Sequence, residues 1–287
     1  MKYYRQQAGF RTFCYLKTSL PVLLILIFLY NGKVIAQVNN FLPVRSWGVS
    51  ADIFFNHTSV TDKKNSSLTF TGSAPGLSTF IKYRHVNAEH EVSVFYLPNS
   101  GLKTNVTPAT KLTQAIFNLE YANYYTVYNS GSGLLKCKAG GAIQFLNATR
   151  LFDAFINSNY SFETALSLGG LFEAQYSPEG NLSGFTISNR ITLPFVFSFS
   201  QPTFSGNSQS DLDAKNSTAV KKLFSDNRLI FLPDFFRIRN SLALGKKLGN
   251  NHNVSIMYTW EYYKIQSSRN VILSNHQLGI LYSYKFQ

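Results

Sequence analysis

The sequence lacks the long apolar segments that cross membranes as helices. Outside the run from Leu20 to Tyr30, no apolar stretch approaches the length of about 20 residues that a spanning helix needs. Charged residues are also scarce, at 14%, and are outnumbered by aromatic residues, at 15%. The mean hydropathy of -0.07 is too polar for a bundle of membrane helices. Together these shortages favour a β-rich fold with one polar and one aromatic face.

Cysteine is almost absent, since the chain contains only Cys14 and Cys137. Cys14 precedes the apolar run of a predicted export signal and lacks the small-residue context of a lipid-anchor site. It would therefore be removed with that signal. Cys137 would then be alone, which excludes an internal disulfide and leaves a small packing residue as the simplest interpretation.

The N-terminal region has the features of an export signal. Basic residues precede the apolar run "LPVLLILIFLY", and Val34 and Ala36 then have the small-residue spacing that a signal peptidase recognises. We predict a cleaved signal peptide over residues 1–36 and one domain over residues 37–287. A retained helical anchor is disfavoured because the apolar run has only 11 residues.

The basic excess indicates an anionic neighbour. Five of the net +13 charges lie within residues 1–36, which leaves +8 on residues 37–287. A basic balance can indicate nucleic-acid binding, but an exported chain rarely meets nucleic acid. We therefore expect lipid and lipopolysaccharide as neighbours and no nucleic acid, with solvated loops and turn flanks accounting for most of the charge.

Alternation of apolar and polar residues dominates the chain after residue 46. In "HQLGILYSYKF" the residues Leu278, Ile280 and Tyr282 share one face, while Gln277 and Gly279 share the other. The alternation recurs in segments of about ten residues, the length that a tilted strand needs to cross a bilayer. Ten segments are predicted, near 46–56, 76–86, 90–98, 112–128, 134–147, 162–176, 185–199, 229–245, 253–262 and 276–286.

Short and long connections alternate between these segments. The short ones are "NAEH", "NSGSG", "SPEGN" and "GNN", and the long ones cover residues 56–74, 98–111, 148–160, 201–227 and 265–275. This predicts a closed antiparallel transmembrane β-barrel of ten strands with up-and-down topology and both termini at the short-turn rim. Twelve strands are the alternative if the segments 111–128 and 182–201 hide bends or a hairpin. A soluble sandwich or lipocalin-like barrel is disfavoured because the apolar face is crowded with Phe and Tyr.

The last segment resembles the C-terminal signal of bacterial outer-membrane β-barrel proteins. That signal has a polar residue, a Gly two positions later, and aromatic residues three and five positions after the Gly. Gln277, Gly279, Tyr282 and Tyr284 fill this pattern, and Phe286 supplies the terminal aromatic residue, displaced one place by Gln287. The resemblance implies insertion by the outer-membrane assembly machinery, with short turns in the periplasm and long loops outside. The Ala-Gln junction at Ala36 and Gln37 is similar to signal cleavage sites common in Bacteroidetes-type bacteria.

If the apolar faces contact lipid, the opposite faces fill the lumen. Charged residues on the inner faces would be Asp52, Lys82, Arg84, Glu91, Glu120, Lys136, Lys138, Glu173, Arg190, Arg237, Arg239, Glu261 and Lys285. A ten-stranded barrel is narrow, so charges of both signs would pair across it. The lumen would then be a plug of ion pairs, or a narrow conduit in which Arg190, Arg237 and Arg239 favour anions.

A hydrolase site at the outer rim is the alternative function. Closure brings the tops of the first and last strands together, so His57 with Asn56 would approach His276 with Ser274 and Asn275. A Ser–His pair oriented by Asn is a workable nucleophile and base, although neither "GxSxG" nor "HExxH" occurs.

Neither a metal nor a cofactor is expected. Asp211 and Asp213 have no third carboxylate nearby, and His85, His90 and His252 show no metal-ligand spacing. The loop over residues 201–227, with its amphipathic "AVKKLF", is the best candidate for binding a surface partner.

Overall fold

In the computed structural model, the strands predicted after residue 46 are present within residues 43–287. The described residues are 45–63, 67–85, 88–106, 109–130, 132–153, 160–200, 228–232, 234–266 and 270–286. The predicted export signal, its cleavage site and the loop 201–227, with Asp211 and Asp213, lie outside these ranges. No helix of the described residues is long and apolar enough to cross a membrane.

Eleven β-segments follow one another along the chain. They are β1 (Ser46–Asp62), β2 (Thr69–His85), β3 (Ala88–Thr104), β4 (Lys111–Asn129), β5 (Leu135–Phe152), β6 (Tyr160–Tyr176), β7 (Phe185–Ser200), β8 (Arg228–Phe231), β9 (Phe235–Lys247), β10 (His252–Gln266) and β11 (Asn270–Phe286). A 3-10 turn over Gly180–Leu182 precedes β7. The turns β2–β3, β4–β5, β6–β7 and β9–β10 share one rim with the start of β1 and the end of β11. We call it the turn rim, and the opposite one the loop rim.

The sheet closes on itself as an antiparallel barrel. Each segment pairs with its neighbours in sequence, and β1 pairs with β11 over its whole length. Both β8 and β9 pair with β7, so they are two pieces of one barrel strand. The predicted ten-stranded closed barrel is therefore confirmed, and β4 and β7 contain no additional hairpin.

The strands are longer than predicted. Apart from the four-residue β8, they contain 13 to 19 residues, and much of what was predicted as long loop is strand. The connections 63–68 and 105–110 hold only six residues each, so the predicted alternation of short and long connections is wrong there. A 17-residue strand tilted as in membrane barrels rises about 43 Å, whereas their apolar band is about 25 Å tall. The loop-rim half therefore projects beyond the bilayer.

The polarity of the alternation inverts along β1. On β1 the outward residues near the turn rim are Trp47, Val49, Ile53 and Phe55, and Ile53 is 68% exposed. Nearer the loop rim the outward residues are His57, Ser59 and Thr61. We call the exposed apolar residues of the turn-rim half, on all strands, the belt. Its position shows which half of the barrel faces hydrocarbon.

The interior of the loop-rim half is packed with apolar side chains. Phe70, Leu97, Leu102, Leu112 and Phe152 are at most 1% exposed and belong to one buried cluster, which we call the loop-rim core. Outward residues of this half contact water, so the hydrophobic effect drives apolar residues inward, as in a soluble protein. The prediction that apolar faces point to lipid therefore fails in this half.

Phe54 marks the boundary between the two halves. Its ring stacks on Phe95, with ring centroids 4.9 Å apart. It lies where Gly76 and Gly279 leave room, because a Cβ on Gly76 would fall 2.3 Å from the ring. A Cβ on Gly279 would fall 2.4 Å from the Asp52 carboxylate and 2.8 Å from the Phe54 Cβ. Both glycines are thus required by packing.

A bulge in β7 reverses the facing of two phenylalanines. Phe197 and Phe199 were predicted to face lipid with Ile191 and Leu193, but they are 0% and 4% exposed in the loop-rim core. The register shifts by one residue where β6 pairs with β7 between Leu168 and Gly169. One inserted residue moves every later side chain to the opposite face.

The inversion predicts that introducing a lysine lowers the free energy of unfolding by different amounts at two outward positions of β1. We expect Ile53→Lys, in the belt, to lower the unfolding free energy in liposomes by about 2–4 kcal/mol, because it places a charge against hydrocarbon. Ser59→Lys, in the water-exposed half, is the matched control and should change it by less than about 0.5 kcal/mol. Denaturant titration followed by tryptophan fluorescence measures both, and equal costs would refute the proposed end of the belt.

Candidate functional site in the barrel interior

Acidic and basic side chains from neighbouring strands pair inside the turn-rim half. Lys82 Nζ lies 2.8 Å from Glu91, which is its register partner on β3. Lys138 Nζ lies 2.9 Å from Glu173, its register partner on β6. Because directly opposed residues of adjacent strands face the same side, such pairs follow from the register. Lys138 also reaches past β4 to Glu89 on β3, at 3.1 Å, a contact that the register does not set. Glu89 also binds Arg84 at 2.9 Å, and sequence reasoning missed it because it was read as part of a turn.

Arg190 reaches across the barrel from β7. Its guanidinium donates to Glu91 on β3 and to Glu120 on β4, and these strands are not neighbours of β7. Its Cζ lies 5.2 Å from the centre of the Tyr124 ring, close enough for a cation–π contact. Arg190 and Glu120 therefore lie inside the lumen as predicted, but they neutralise each other.

Arg237 makes a second crossing, from β9. It donates to Glu261 at 2.7 Å and, through Nη1, to the Gln144 side-chain oxygen on β5 at 3.0 Å. The Gln144 amide nitrogen in turn donates to Glu120 at 2.5 Å. A continuous polar chain thus runs from Arg237 to Arg190. Arg237 and Glu261 also face inward as predicted, again as a neutralised pair.

Arg239 is the one member of the predicted basic ring with no carboxylate bound to it. It makes no ion pair or hydrogen bond with another described residue, and its Nε is buried without a partner. The charge of Arg239 acts on the carboxylates of Asp52 and Glu261 without an ion pair, and one oxygen of the buried Asp52 carboxylate also has no partner. The three arginines therefore do not form a ring of equivalent anion ligands.

A third crossing lies within the loop-rim core and was missed by sequence reasoning. Arg150, on β5, is 0% exposed and holds both carboxylate oxygens of Glu163, at 2.8 Å and 3.1 Å. It also donates to Gln114 at 2.9 Å and to the Tyr263 hydroxyl of β10 at 2.6 Å. Burial raises the pKa of Tyr263, so its hydroxyl stays protonated and donates to Glu163 at 3.0 Å. The signal was the continued alternation through Arg150, which had been assigned to a loop.

One sizeable cavity opens at the turn rim. It has a volume of ≈ 380 Å³ and is bounded on its inner side by the groups around Arg190, Glu91 and Glu120. A second cavity, beside Arg237 and Glu261, measures only ≈ 10 Å³, which is about the space of one water molecule. The side chains between them are buried, so these two cavities do not form a channel through the described part of the barrel.

The residues proposed for a hydrolase do not share one face. His57 and His276 are register partners as expected, and Ser274 Oγ lies 3.4 Å from His276 Nε2. All three side chains point outward, where His57 binds Ser73 at 2.9 Å and His276 binds Tyr258 at 2.8 Å. Asn56 and Asn275 are buried inside, bonded to Thr58 at 2.6 Å and 2.8 Å. The asparagines therefore cannot orient either histidine, which removes the third member of the predicted constellation.

The five residues of the predicted insertion signal divide between the two faces. Gln277 and Gly279 face the interior, and Tyr282, Tyr284 and Phe286 lie on the outer face within or beside the belt. Tyr282 also binds His252 at 2.7 Å. No group of three His, Cys, Asp or Glu residues suited to a metal is found in the part of the chain that is described.

Comparisons with known proteins identify the fold. Neither a family model nor a curated protein matches the sequence. The outer membrane protease OmpT from Escherichia coli is similar in structure, with a TM-score of 0.50 and 7% identity over 87% of this chain and 99% of its own. The translocator domain of the autotransporter NalP from Neisseria meningitidis gives 0.41 and 9%, over 94% and 97%. An outer membrane channel from Pseudomonas putida F1 gives 0.36 and 10%, over 88% and 100%.

These likenesses concern the fold and not the activity. The chain has the fold of bacterial outer-membrane β-barrels, as the C-terminal resemblance implied. Its own exterior adds the belt, an exposed apolar surface of the kind that contacts a membrane or another protein, and in a barrel of this fold that surface faces hydrocarbon. The fold and the belt together confirm the predicted outer-membrane location.

The buried cluster around Arg150 predicts a non-additive pair of substitutions. Arg150→Met leaves Glu163 buried without its cation, and we expect a loss of about 3–5 kcal/mol in unfolding free energy. The double variant Arg150→Met with Glu163→Leu removes both charges and should recover most of that loss. Denaturant unfolding of the refolded barrel measures each variant. Equal costs for the single and double variants would show that the ion pair is not what holds these strands together.

Proposed function

We propose that this protein is a closed scaffold of the outer membrane, which carries its loop-rim half outside the bilayer and does not conduct solutes. The observation that carries the proposal is the stack of three crossings, by Arg190, Arg237 and Arg150, beneath and within an apolar core. Each crossing joins strands that are not neighbours, so each blocks the lumen at its own level.

The energetics favour a permanent closure. A conduit would need these crossing contacts to separate and a column of water to replace them. The Arg190 crossing is a set of ion pairs, whereas Arg237 and Arg150 cross to Gln144 and Tyr263. Breaking one buried ion pair costs about 3–5 kcal/mol, because it leaves an uncompensated charge in a low-dielectric interior. The loop-rim core adds a hydrophobic barrier above the ion pairs, and wetting it would expose Phe70, Leu97 and Phe152.

The remaining expectations belong to the same proposal. The turn rim would face the periplasm, and the loop rim, with the loop over residues 201–227, would present a binding surface outside. Export through a signal peptide over residues 1–36, insertion by the assembly machinery and a Bacteroidetes-type source rest on the sequence patterns alone.

Conductance measurements test the closure directly. We expect the purified protein to give no reproducible current steps in planar bilayers, although it shows the heat-modifiable gel mobility of a folded barrel. Anion-preferring steps that diminish in Arg237→Gln would contradict the scaffold and support a conduit. The variant Lys264→Gln, on the outer face, controls for a general effect of charge removal.

Two lysines on the outer face support the proposal of lipopolysaccharide as a neighbour. Lys103 and Lys111 are both exposed, lie in the water-exposed half and are register partners on β3 and β4. Like charges directly opposite each other destabilise a strand pair unless an anion lies between them. A phosphate group of lipopolysaccharide has the charge that this pair needs.

Removal of this pair should weaken lipopolysaccharide binding. We expect the double variant Lys103→Gln with Lys111→Gln to retain several-fold less lipopolysaccharide after purification, because two phosphate contacts are lost. Lys246→Gln removes one exposed positive charge at the turn rim and serves as the control. Quantification of bound lipopolysaccharide per barrel provides the measurement, and unchanged retention in the double variant would remove these lysines from the proposal.

A further inference from the structure

The cavity at the turn rim has an unbalanced charge. Among its lining residues, seven are Lys or Arg and four are Glu. All four acids, Glu89, Glu91, Glu120 and Glu173, already bind Lys or Arg side chains of β2, β5 or β7. The three remaining cations are Arg239, Lys247 and Lys285. None of them forms an ion pair with another residue of the described ranges, so the lining has an excess of three positive charges.

These three cations lie on one side of the cavity. Arg239 and Lys247 belong to β9, and Lys285 belongs to β11, whereas the paired charges come from β2 to β7. The acids that influence Arg239 from outside the lining are Asp52 and Glu261, and neither lies within ion-pair distance of it. Glu261 is already bound to Arg237 at 2.6 Å. The basic wall thus lacks a carboxylate partner within the cavity.

The same wall is built from small polar residues, which leave space in front of the cations. Ser50, Ser241, Gly245, Ser255 and Ser283 line it, and Ser50 Oγ donates to Ser283 Oγ at 2.9 Å. A volume of ≈ 380 Å³ lies at the small end of the range for ligand pockets, about 300–1,000 Å³. Hydroxyl and amide groups on the lining suit a hydrated, oxygen-rich solute better than an apolar one.

We propose that this cavity binds a small dianion that carries carboxylate or phosphate groups. One anionic group contacts the Arg239 guanidinium, whose planar fork matches both carboxylate and phosphate geometry. The other lies toward the opening, near the exposed Lys247 and Lys285. The ligand enters from the turn rim, so binding requires no passage through the barrel. The site is compatible with a closed scaffold but does not depend on that function.

Calorimetric titration of the full chain in a nonionic detergent tests the site. The probes are succinate and inorganic phosphate, with glycerol as a neutral comparison. We expect saturable binding of at least one dianion and none of glycerol. Arg239→Gln should weaken the affinity about tenfold or more, since a charge-assisted contact is lost. Lys285→Gln should weaken it a few-fold, because that side chain is exposed and partly screened.

The matched control is Lys264→Gln, which removes one positive charge from the outer face and should leave binding unchanged. Heat-modifiable mobility shows that each variant is folded. Should Arg239→Gln fail to fold, Lys285→Gln alone decides, since it lies at an exposed strand end. The proposal is overturned if folded wild-type protein binds neither dianion saturably, or if the folded Arg239 and Lys285 variants both bind with wild-type affinity.

Discussion

The narrow bore of a ten-stranded barrel constrains everything else in this protein. A charged side chain that points inward below the open cavity is shielded from bulk water, so a partner on another strand is needed to stabilise it. Arg190 reaches carboxylates across the lumen, on β3 and β4. Arg237 and Arg150 pair with carboxylates of adjacent strands and cross the lumen to Gln144 and Tyr263. The same contacts that satisfy the charges also obstruct the lumen. Closure is therefore a consequence of pairing and needs no separate plug domain.

Two solvents act on every long strand. Near the turn rim the exterior contacts hydrocarbon, so Ile53 and Phe55 point outward while Asp52 is buried. Beyond the belt the exterior contacts water, and Val60 on the same strand is 1% exposed in the interior. The backbone alternation continues unchanged, and only the chemistry of the two faces is exchanged. One chain thus combines a membrane barrel with a water-exposed barrel that has an ordinary apolar core.

The sequence was sufficient for the closure, the strand number and the inward position of Arg190, Arg237 and Glu261. Alternation with a period of two residues predicts these features because, wherever hydrocarbon covers the outside, the outward residues are apolar and the inward residues are polar. The prediction failed in the loop-rim half, where the inward residues are the apolar ones. Val60 and Phe70 were assigned to a loop, and Arg150 went with another loop, because an inverted pattern was not recognised as strand. It failed again after Pro194, since a single bulge residue leaves no periodic trace of its own.

The pairing of particular charges could not be predicted either. Alternation predicts which face a residue is on, but not how far across the lumen its side chain extends. Arg190 lies opposite Glu173 in register, yet its guanidinium binds Glu91 and Glu120. The position of the Phe54 ring could not be predicted from alternation either. It depends on the absence of a Cβ at Gly76 and Gly279, which leaves the space that the ring occupies. These three positions form a single steric unit. In evolution they should covary, so that a homologous barrel with a bulkier residue at either glycine would have lost the aromatic ring as well.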